Sequence, residues 1–167
     1  MTYRMDSLVS KGEGKVRGVK ARVDGFVGVF KTLAAQHGAI SILMQRMQER
    51  PEKKPALWPE IRRELLSHER GEMRAVYPVL REYAETRILA EQHAMELGEM
   101  EDLIDEIDAA EVEDWCSRYD QLVDAVLRHV EREEQQIFPK AQNAIGEKMA
   151  KELDARFLAV KNGTPTG

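Results

Sequence analysis

Apolar residues recur at steps of three and four in the first half of the chain, the spacing of one face of an α-helix. The first such face follows Asp24, a suitable N-cap, and ends at Met47. A second face starts at about Pro59, a residue well tolerated in the first turn of a helix, and reaches Val79. The pattern therefore predicts two helices separated by a loop over residues 50 to 58, which contains two prolines.

The second half of the chain has the same arrangement. A short break at residues 84 to 86 precedes a third apolar face over residues 89 to 107. A turn at residues 108 to 112 precedes a fourth face over residues 115 to 137. Apolar residues beyond Gly146 predict a short fifth helix that caps or flanks the others. The expected fold class is all-α.

Each of the four histidines falls on the apolar face of a separate predicted helix. Two of them begin the spacing His-x-x-x-Glu, which places an imidazole and a carboxylate one turn apart on the same side of a helix. An unpartnered polar group in a bundle core costs on the order of several kcal/mol, so this arrangement needs a compensating interaction. A pair of metal ions would supply it, held by His37, His68, Glu72, His93, His129 and Glu133.

The two His-x-x-x-Glu motifs belong to a longer repeat. Each is followed by an aromatic residue and a proline, Tyr77-Pro78 in the first copy and Phe138-Pro139 in the second. In both copies the proline lies ten residues after the histidine. The chain is therefore interpreted as two related helical hairpins, and a duplicated hairpin predicts a four-helix bundle with a roughly two-fold interior. Pro78 is expected to kink or loosen the last turns of the second helix.

Length and composition agree with one domain. The chain has 167 residues, of which 43% are hydrophobic and 33% charged, as in a helical globular protein with one core. The sequence has no apolar run of membrane-spanning length, and its beginning lacks the layout of a signal peptide, so a cytoplasmic location without membrane attachment is expected. Cys116 is the only cysteine, which excludes an intrachain disulfide.

Charge is unevenly distributed along the chain. Residues 1 to 22 carry six Lys and Arg against two acids, whereas residues 91 to 114 carry eleven acids and neither Lys nor Arg. A solvated arm and a solvated helix face are the expected interpretation. A nucleic-acid or lipid contact of the arm and a cation-attracting helix stay open as alternatives. The net charge of −5 argues against nucleic acid as the main partner.

The candidate ligands favour certain metals. Two bridging carboxylates and two imidazoles per ion give each of two ions about four ligands of mixed nitrogen and oxygen character, which suits iron or manganese. About two positions per ion are left for an oxo or hydroxo bridge and an exogenous ligand, and zinc is an alternative. Three neighbouring acids, Glu69, Glu131 and Glu134, are expected on a solvated face. Glu96, three residues after His93, is left open between a contact to a ligand and a ligand.

The order of these motifs resembles the hemerythrin superfamily, specifically the HHE cation-binding domain, over about residues 24 to 145. The resemblance implies an up-down-up-down four-helix bundle around a non-haem di-iron centre. It also implies that the six candidate residues are ligands, with Glu72 and Glu133 as bridging carboxylates. Hemerythrins that carry oxygen have a fifth histidine one turn after the ligand on the third helix. This chain has Leu97 there, so reversible oxygen carriage is not expected.

The sequence pattern and the resemblance together predict the organisation of the chain and its ligands. A basic N-terminal arm at residues 1–23 precedes a hemerythrin-like bundle at residues 24–160 and a disordered tail at residues 161–167. The expected function is that of a di-iron binding protein that meets O2, peroxide, NO or azide-like anions in a sensing, scavenging or storage role.

A metal-binding protein is favoured over a dedicated enzyme, and two alternatives stay open. The first is an oxidase or peroxidase that uses the same centre, in which Tyr77, Tyr83 or Tyr119 relays electrons. The second is an iron-responsive interaction module with the basic arm as its contact site. The sequence identifies no protein partner.

Overall fold

The computed structural model describes residues 25 to 163, which contain helices and turns and no strand. The predicted arm at residues 1–23 and residues 164–167 lie outside this range. The helices are α1 Val29–Glu49, α2 Lys54–Ala75, α3 Tyr77–Leu80, α4 Arg87–Asp108, α5 Val112–Arg132 and α6 Phe138–Gly163. A 3-10 turn, Pro51–Lys53, precedes α2, and a π turn, Glu133–Ile137, joins α5 to α6.

Two hydrophobic clusters show that successive long helices reverse direction. The distal cluster joins the end of α1 to the start of α2 and the end of α4 to the start of α5, through Met44, Met47, Leu57, Trp58, Ile104, Ile107, Trp115 and Tyr119. The proximal cluster joins the start of α1, the end of α2 and the start of α4 to α6, through Val29, Phe30, Val76, Tyr77, Ala90, Phe138 and Phe157. The predicted up-down-up-down bundle of α1, α2, α4 and α5 is confirmed.

Between the two clusters lies a layer of buried polar side chains. Apolar residues close the layer at both ends, so its members have little water to hydrate them. Burial of this kind is unfavourable unless the polar atoms find partners. None is more than 2% exposed, and they are His37, His68, Glu69, Glu72, His93, His129 and Glu133.

The first helix begins later than the sequence predicts. Gly28, not Asp24, is the N-cap of α1, and Asp24 lies outside the described residues. Gly28 has a φ of 54°, and a Cβ atom there would lie 2.3 Å from the backbone carbonyl of Ala150 on α6. Glycine is therefore required where the chain passes α6 on its way into α1.

The predicted loop over residues 50 to 58 is wrong from residue 54 onward, because α2 already begins at Lys54. Pro55 lies in the first turn, where the backbone N–H groups have no partner within the helix. Pro59, one turn later, removes a single backbone hydrogen bond. Burial of Trp58 offsets this loss, and its Nε1 donates a hydrogen bond of 2.7 Å to Asp108 at the end of α4.

The part of α6 beyond Gly146 is the fifth helix that the sequence predicts. Gly146 has a φ of 78° and a ψ of 167°, which are not helical, so α6 consists of two helical segments that meet at a kink. The second segment extends to Gly163, so residues 161 to 163 are helical. Its buried Leu153 and Phe157 pack in the proximal cluster. Helix α2 consequently contacts α1, α4 and α6 and is buried on more than one face. None of the helices within residues 25 to 163 is long and apolar enough to cross a membrane.

Candidate metal centre

The six predicted residues lie together in the polar layer, where they form two groups with a seventh. Within each group, one nitrogen or oxygen atom of every side chain lies within 4.8 Å of those of the others. Each group has two imidazoles and two carboxylates, and Glu72 belongs to both. The first group is His37, His68, Glu72 and Glu133, and the second is Glu69, Glu72, His93 and His129.

Glu72 faces both groups with separate oxygens. Its Oε1 lies 3.7 Å from Nε2 of His68, and its Oε2 lies 3.7 Å from Nε2 of His93. Burial raises the pKa of Glu72 well above its usual value, and the nearby carboxylates of Glu133 and Glu69 raise it further. One oxygen toward each group is the arrangement that a bridging carboxylate needs.

Glu133 is held differently from Glu72. Its Oε2 lies 3.1 Å from Nε2 of His37 and 3.4 Å from Nε2 of His129, while its Oε1 accepts a hydrogen bond of 2.5 Å from the Tyr77 hydroxyl. Burial alone would raise the pKa of Glu133, but the imidazoles, His129 foremost, hold it well below its usual value. Glu133 begins the π turn, a local widening of a helix that is frequent at functional sites.

Glu69 is a member of the centre that the sequence prediction missed. It is 1% exposed, and its Oε1 lies 3.2 Å from Nε2 of His129, so a solvated face is the wrong prediction. Its Oε2 lies 3.7 Å from Nε2 of His93. A signal for it exists in the sequence, because the apolar face of α2 through Leu65 and Glu72 passes through residue 69 as readily as through residue 68.

The same correction holds in part for the other neighbouring acids. Glu134 is largely buried and contacts Nδ1 of His37, whereas Glu131 is exposed as predicted. Glu96 lies outside the two groups, where it contacts Nδ1 of His129 and also pairs with Arg132.

Three of the histidines are oriented through their Nδ1 atoms by side chains outside the two groups. His37 contacts Glu134 at 3.0 Å, and His129 contacts Glu96 at 2.9 Å. Nδ1 of His68 lies 2.9 Å from the amide oxygen of Gln36. An Nδ1–H that donates to such an acceptor leaves the Nε2 lone pair free and turned into the layer, which is how metal-binding histidines are usually held.

The atoms turned into the layer lack hydrogen-bond partners. Among residues 25 to 163, nine of the ten buried side-chain nitrogen and oxygen atoms without a partner belong to this layer. A cation would satisfy such a set of lone pairs, so the residues fit a metal. The nine atoms are Nε2 of His37, His68 and His129, both ring nitrogens of His93, both oxygens of Glu72, and Oε2 of Glu69 and Glu133.

Protons occupy the layer unevenly. Burial would lower the pKa of His37 and His129, but the nearby carboxylates outweigh it and raise both, mainly Glu133 for His37 and Glu69 for His129. Burial, and repulsion from His37, lower the pKa of His68 to about 3. A metal ion therefore competes with protons more strongly at His37 and His129 than at His68.

A small cavity borders His129, one member of the second group. It has a volume of about 160 Å³ and lies between α4 and α5. His129 and Glu96 form part of its lining, together with the apolar Met100 and Leu103. The cavity is large enough for a diatomic molecule or a small anion.

Comparison with known proteins identifies one family model that matches most of the chain. The family model described as the hemerythrin HHE cation-binding domain matches residues 28–141, which include all seven side chains of the layer. The half of α6 beyond Gly146 lies outside the matched residues. No curated protein and no solved structure matches the chain significantly.

Proposed function

The chain belongs to the hemerythrin HHE cation-binding domain family, and from this premise we propose that it holds two iron ions in the polar layer. His37, His68 and Glu133 would bind the first ion, and Glu69, His93 and His129 the second. Glu72 would bridge the two with its separate oxygens. A non-haem di-iron centre of this kind would meet O2, peroxide or NO in a sensing, scavenging or storage role.

The observation that carries the proposal is the sharing of Glu72 by two groups of the same composition. Two imidazoles and two carboxylates per ion form a mixed nitrogen and oxygen set, which iron and manganese accept with positions left open. Structural zinc sites are instead closed tetrahedra, for which a shared carboxylate is not needed. The ligand set therefore supports a dinuclear iron centre over separate zinc sites.

When bound, a di-iron pair supplies redox equivalents and open coordination positions for small ligands. The chain's own residues supply the rest. The distal and proximal clusters exclude bulk water from both ends of the layer, which strengthens electrostatic interactions within it. The cavity beside His129 supports access of small ligands to the second position.

One observation favours a second candidate function, an oxidase or peroxidase. Tyr77 is fully buried, its ring stacks on His93 with centroids 3.7 Å apart, and its hydroxyl touches Glu133. An oxidisable side chain therefore lies against the layer. Tyr119 belongs to the distal cluster and donates to the backbone oxygen of Met44, so it does not contact the layer.

Metal analysis tests the main proposal. Metal-free protein is loaded anaerobically with Fe²⁺, Mn²⁺ or Zn²⁺, and bound metal is counted per chain, followed by absorption spectra of the iron form after oxidation and with added azide. We expect two irons per chain and an azide-dependent spectrum. One ion or none would contradict the dinuclear proposal. Steady turnover of peroxide with an added reductant would favour the enzyme.

A further inference from the structure

The repeat in the sequence places an aromatic ring against one histidine in each half of the centre. The ring of Tyr77 stacks on His93, with an interplanar angle of 10°. The ring of Phe138 stacks on His37, with an interplanar angle of 12° and centroids 5.8 Å apart. The two aromatic residues occupy corresponding positions of the repeat, and the hydroxyl of Tyr77 is the chemical difference between them.

That hydroxyl engages one oxygen of Glu133. Oε1 of Glu133 lies 2.5 Å from the Tyr77 hydroxyl and 3.2 Å from Nδ1 of His93. This oxygen therefore faces the Tyr77 hydroxyl and Nδ1 of His93, whereas Nε2 of the same ring lies 3.7 Å from oxygens of Glu69 and Glu72. In Glu133 only Oε2 lacks a hydrogen-bond partner. In Glu72 both oxygens lack one. Although the motifs that carry them are equivalent in sequence, Glu133 has one oxygen free for a metal and Glu72 has two.

The second group shows the consequence of this difference. It contains Glu69 in the place that Glu133 would take if both motif carboxylates bridged. Glu69 lies on α2, and the corresponding position of the repeat, one residue after His129, is the apolar Val130. The two halves of the centre therefore differ at two positions. One half has Tyr77 and Glu69 where the other has Phe138 and Val130.

We propose that the Tyr77 hydroxyl restricts Glu133 to one ligating oxygen and thereby makes Glu69 necessary for the second metal position. Tyr77 is in this sense a positioning residue, since it acts through Glu133. The inference rests on the proposed dinuclear centre, and it assigns to one hydroxyl the difference between two otherwise equivalent halves.

The test is a double-mutant cycle read by metal binding. Wild type, Glu69→Gln, Tyr77→Phe and the double variant are titrated with Co²⁺ under anaerobic conditions, and the affinity of each ion is measured. In the wild-type background, Glu69→Gln should lower the affinity for the second ion at least about tenfold. In the Tyr77→Phe background, Glu133 can turn its freed oxygen to the second position. Glu69→Gln should then lower the affinity for the second ion less than about threefold. Such a difference between the two backgrounds would show that Tyr77 and Glu69 are energetically coupled.

A matched control removes a buried hydroxyl elsewhere. Tyr119→Phe deletes a hydroxyl that donates to the backbone oxygen of Met44 in the distal cluster. In the Tyr119→Phe background, Glu69→Gln should lower the affinity for the second ion as much as it does in the wild-type background. Equal rescue by Tyr119→Phe would show general loosening of the core and would overturn the proposal.

The failures of the two proposals are distinguishable. If the wild type binds fewer than two ions, the dinuclear centre is wrong. If it binds two but Glu69→Gln has the same effect with and without the Tyr77 hydroxyl, or no effect, the role of Tyr77 is wrong. The visible spectrum of bound Co²⁺ gives a second readout, because it reports coordination geometry. Tyr77→Phe alone should change this spectrum without loss of either ion, and an unchanged spectrum would count against the proposal.

Discussion

Oε1 of Glu69 lies 3.2 Å from Nε2 of His129, in the group of side chains that does not contain His37. Glu69 reaches this position because α2 packs against three helices and buries residues on more than one face. Leu65 and Leu66, which are adjacent in sequence, are both almost fully buried for the same reason. Contacts with His93 on α4 and His129 on α5 thus make Glu69, a residue next to a motif, part of the centre.

The sharing of Glu72 predicts the most severe loss of metal. Glu72→Ala removes a carboxylate that both groups use, so we expect both ions to be lost. His37→Ala and His129→Ala each remove a member of one group, so each should leave one ion bound. Metal analysis after gel filtration measures the result, with Glu131→Ala as the exposed control. If Glu72→Ala and His37→Ala retained equal metal, Glu72 would not be a bridge.

Metal removal should destabilise the bundle. The metal-free layer contains nine buried atoms without partners, so ligand binding and folding are coupled. At a metal concentration about a hundredfold above Kd, a single site adds about 2.7 kcal/mol, which corresponds to a rise in Tm on the order of 5 to 10 °C. Scanning calorimetry with and without a chelator measures the shift.

Hydrogen exchange would show which part of the bundle metal removal destabilises. Amides around His68 and His129 should lose protection before those of the two hydrophobic clusters, because the unpartnered atoms are in the layer. A metal-free protein with the same Tm and the same exchange pattern as the loaded one would contradict the coupling.

The bundle was predictable from the sequence because helix periodicity and the positions of the histidines carry the same information. Four apolar faces, each with one histidine, predict four helices with the histidines inward, and the repeat indicates that two hairpins pair. The start of α2 was not predicted, because burial of Trp58 outweighs the hydrogen bond that Pro59 removes. Tertiary packing decided that boundary.

The candidate site was predictable only as far as sequence spacing reaches. His68 and Glu72 are four residues apart, so their proximity follows from helix geometry. The Nδ1 partner of His68 is Gln36, on a different helix and 32 residues away, and no spacing indicates it. The hydrogen bond between Tyr77 and Glu133 joins residues 56 apart. Such contacts depend on how the helices are rotated against one another.

The hydrogen bond from His68 to Gln36 provides a test of the outer contacts. Gln36→Leu removes the acceptor for Nδ1 and leaves the imidazole free to rotate, so the first ion should bind about 10- to 100-fold more weakly. Gln36→Glu keeps an acceptor at the same place and should retain most of the affinity. Calorimetric titration of the two variants measures the difference, and equal affinities would show that this hydrogen bond does not orient His68.

Metal binding should strengthen as pH rises. The pKa values of His37, His129 and Glu72 are all raised, so these side chains keep their protons to a higher pH than usual, and a metal ion competes with those protons. Lowering the pH adds protons to these ligands and weakens binding. Calorimetry between about pH 6 and 8, in buffers of different ionisation enthalpy, counts the protons released. Affinity that is independent of pH, with no proton release, would contradict this assignment.

Leu97 provides the last prediction, because it lies one turn after His93 on α4 and is buried. Its side chain offers hydrocarbon where a further imidazole would add a ligand to the second ion. We expect the oxidised wild-type protein to bind azide at the open position and Leu97→His to weaken that binding at least about tenfold, since the new imidazole competes for the same position. Leu97→Met is the matched control, because it keeps an apolar side chain of similar volume and should bind azide as the wild type does. Absorption titrations of the three iron-loaded proteins measure the effect. Equal azide affinity in Leu97→His and the wild type would show that residue 97 does not face an open coordination position.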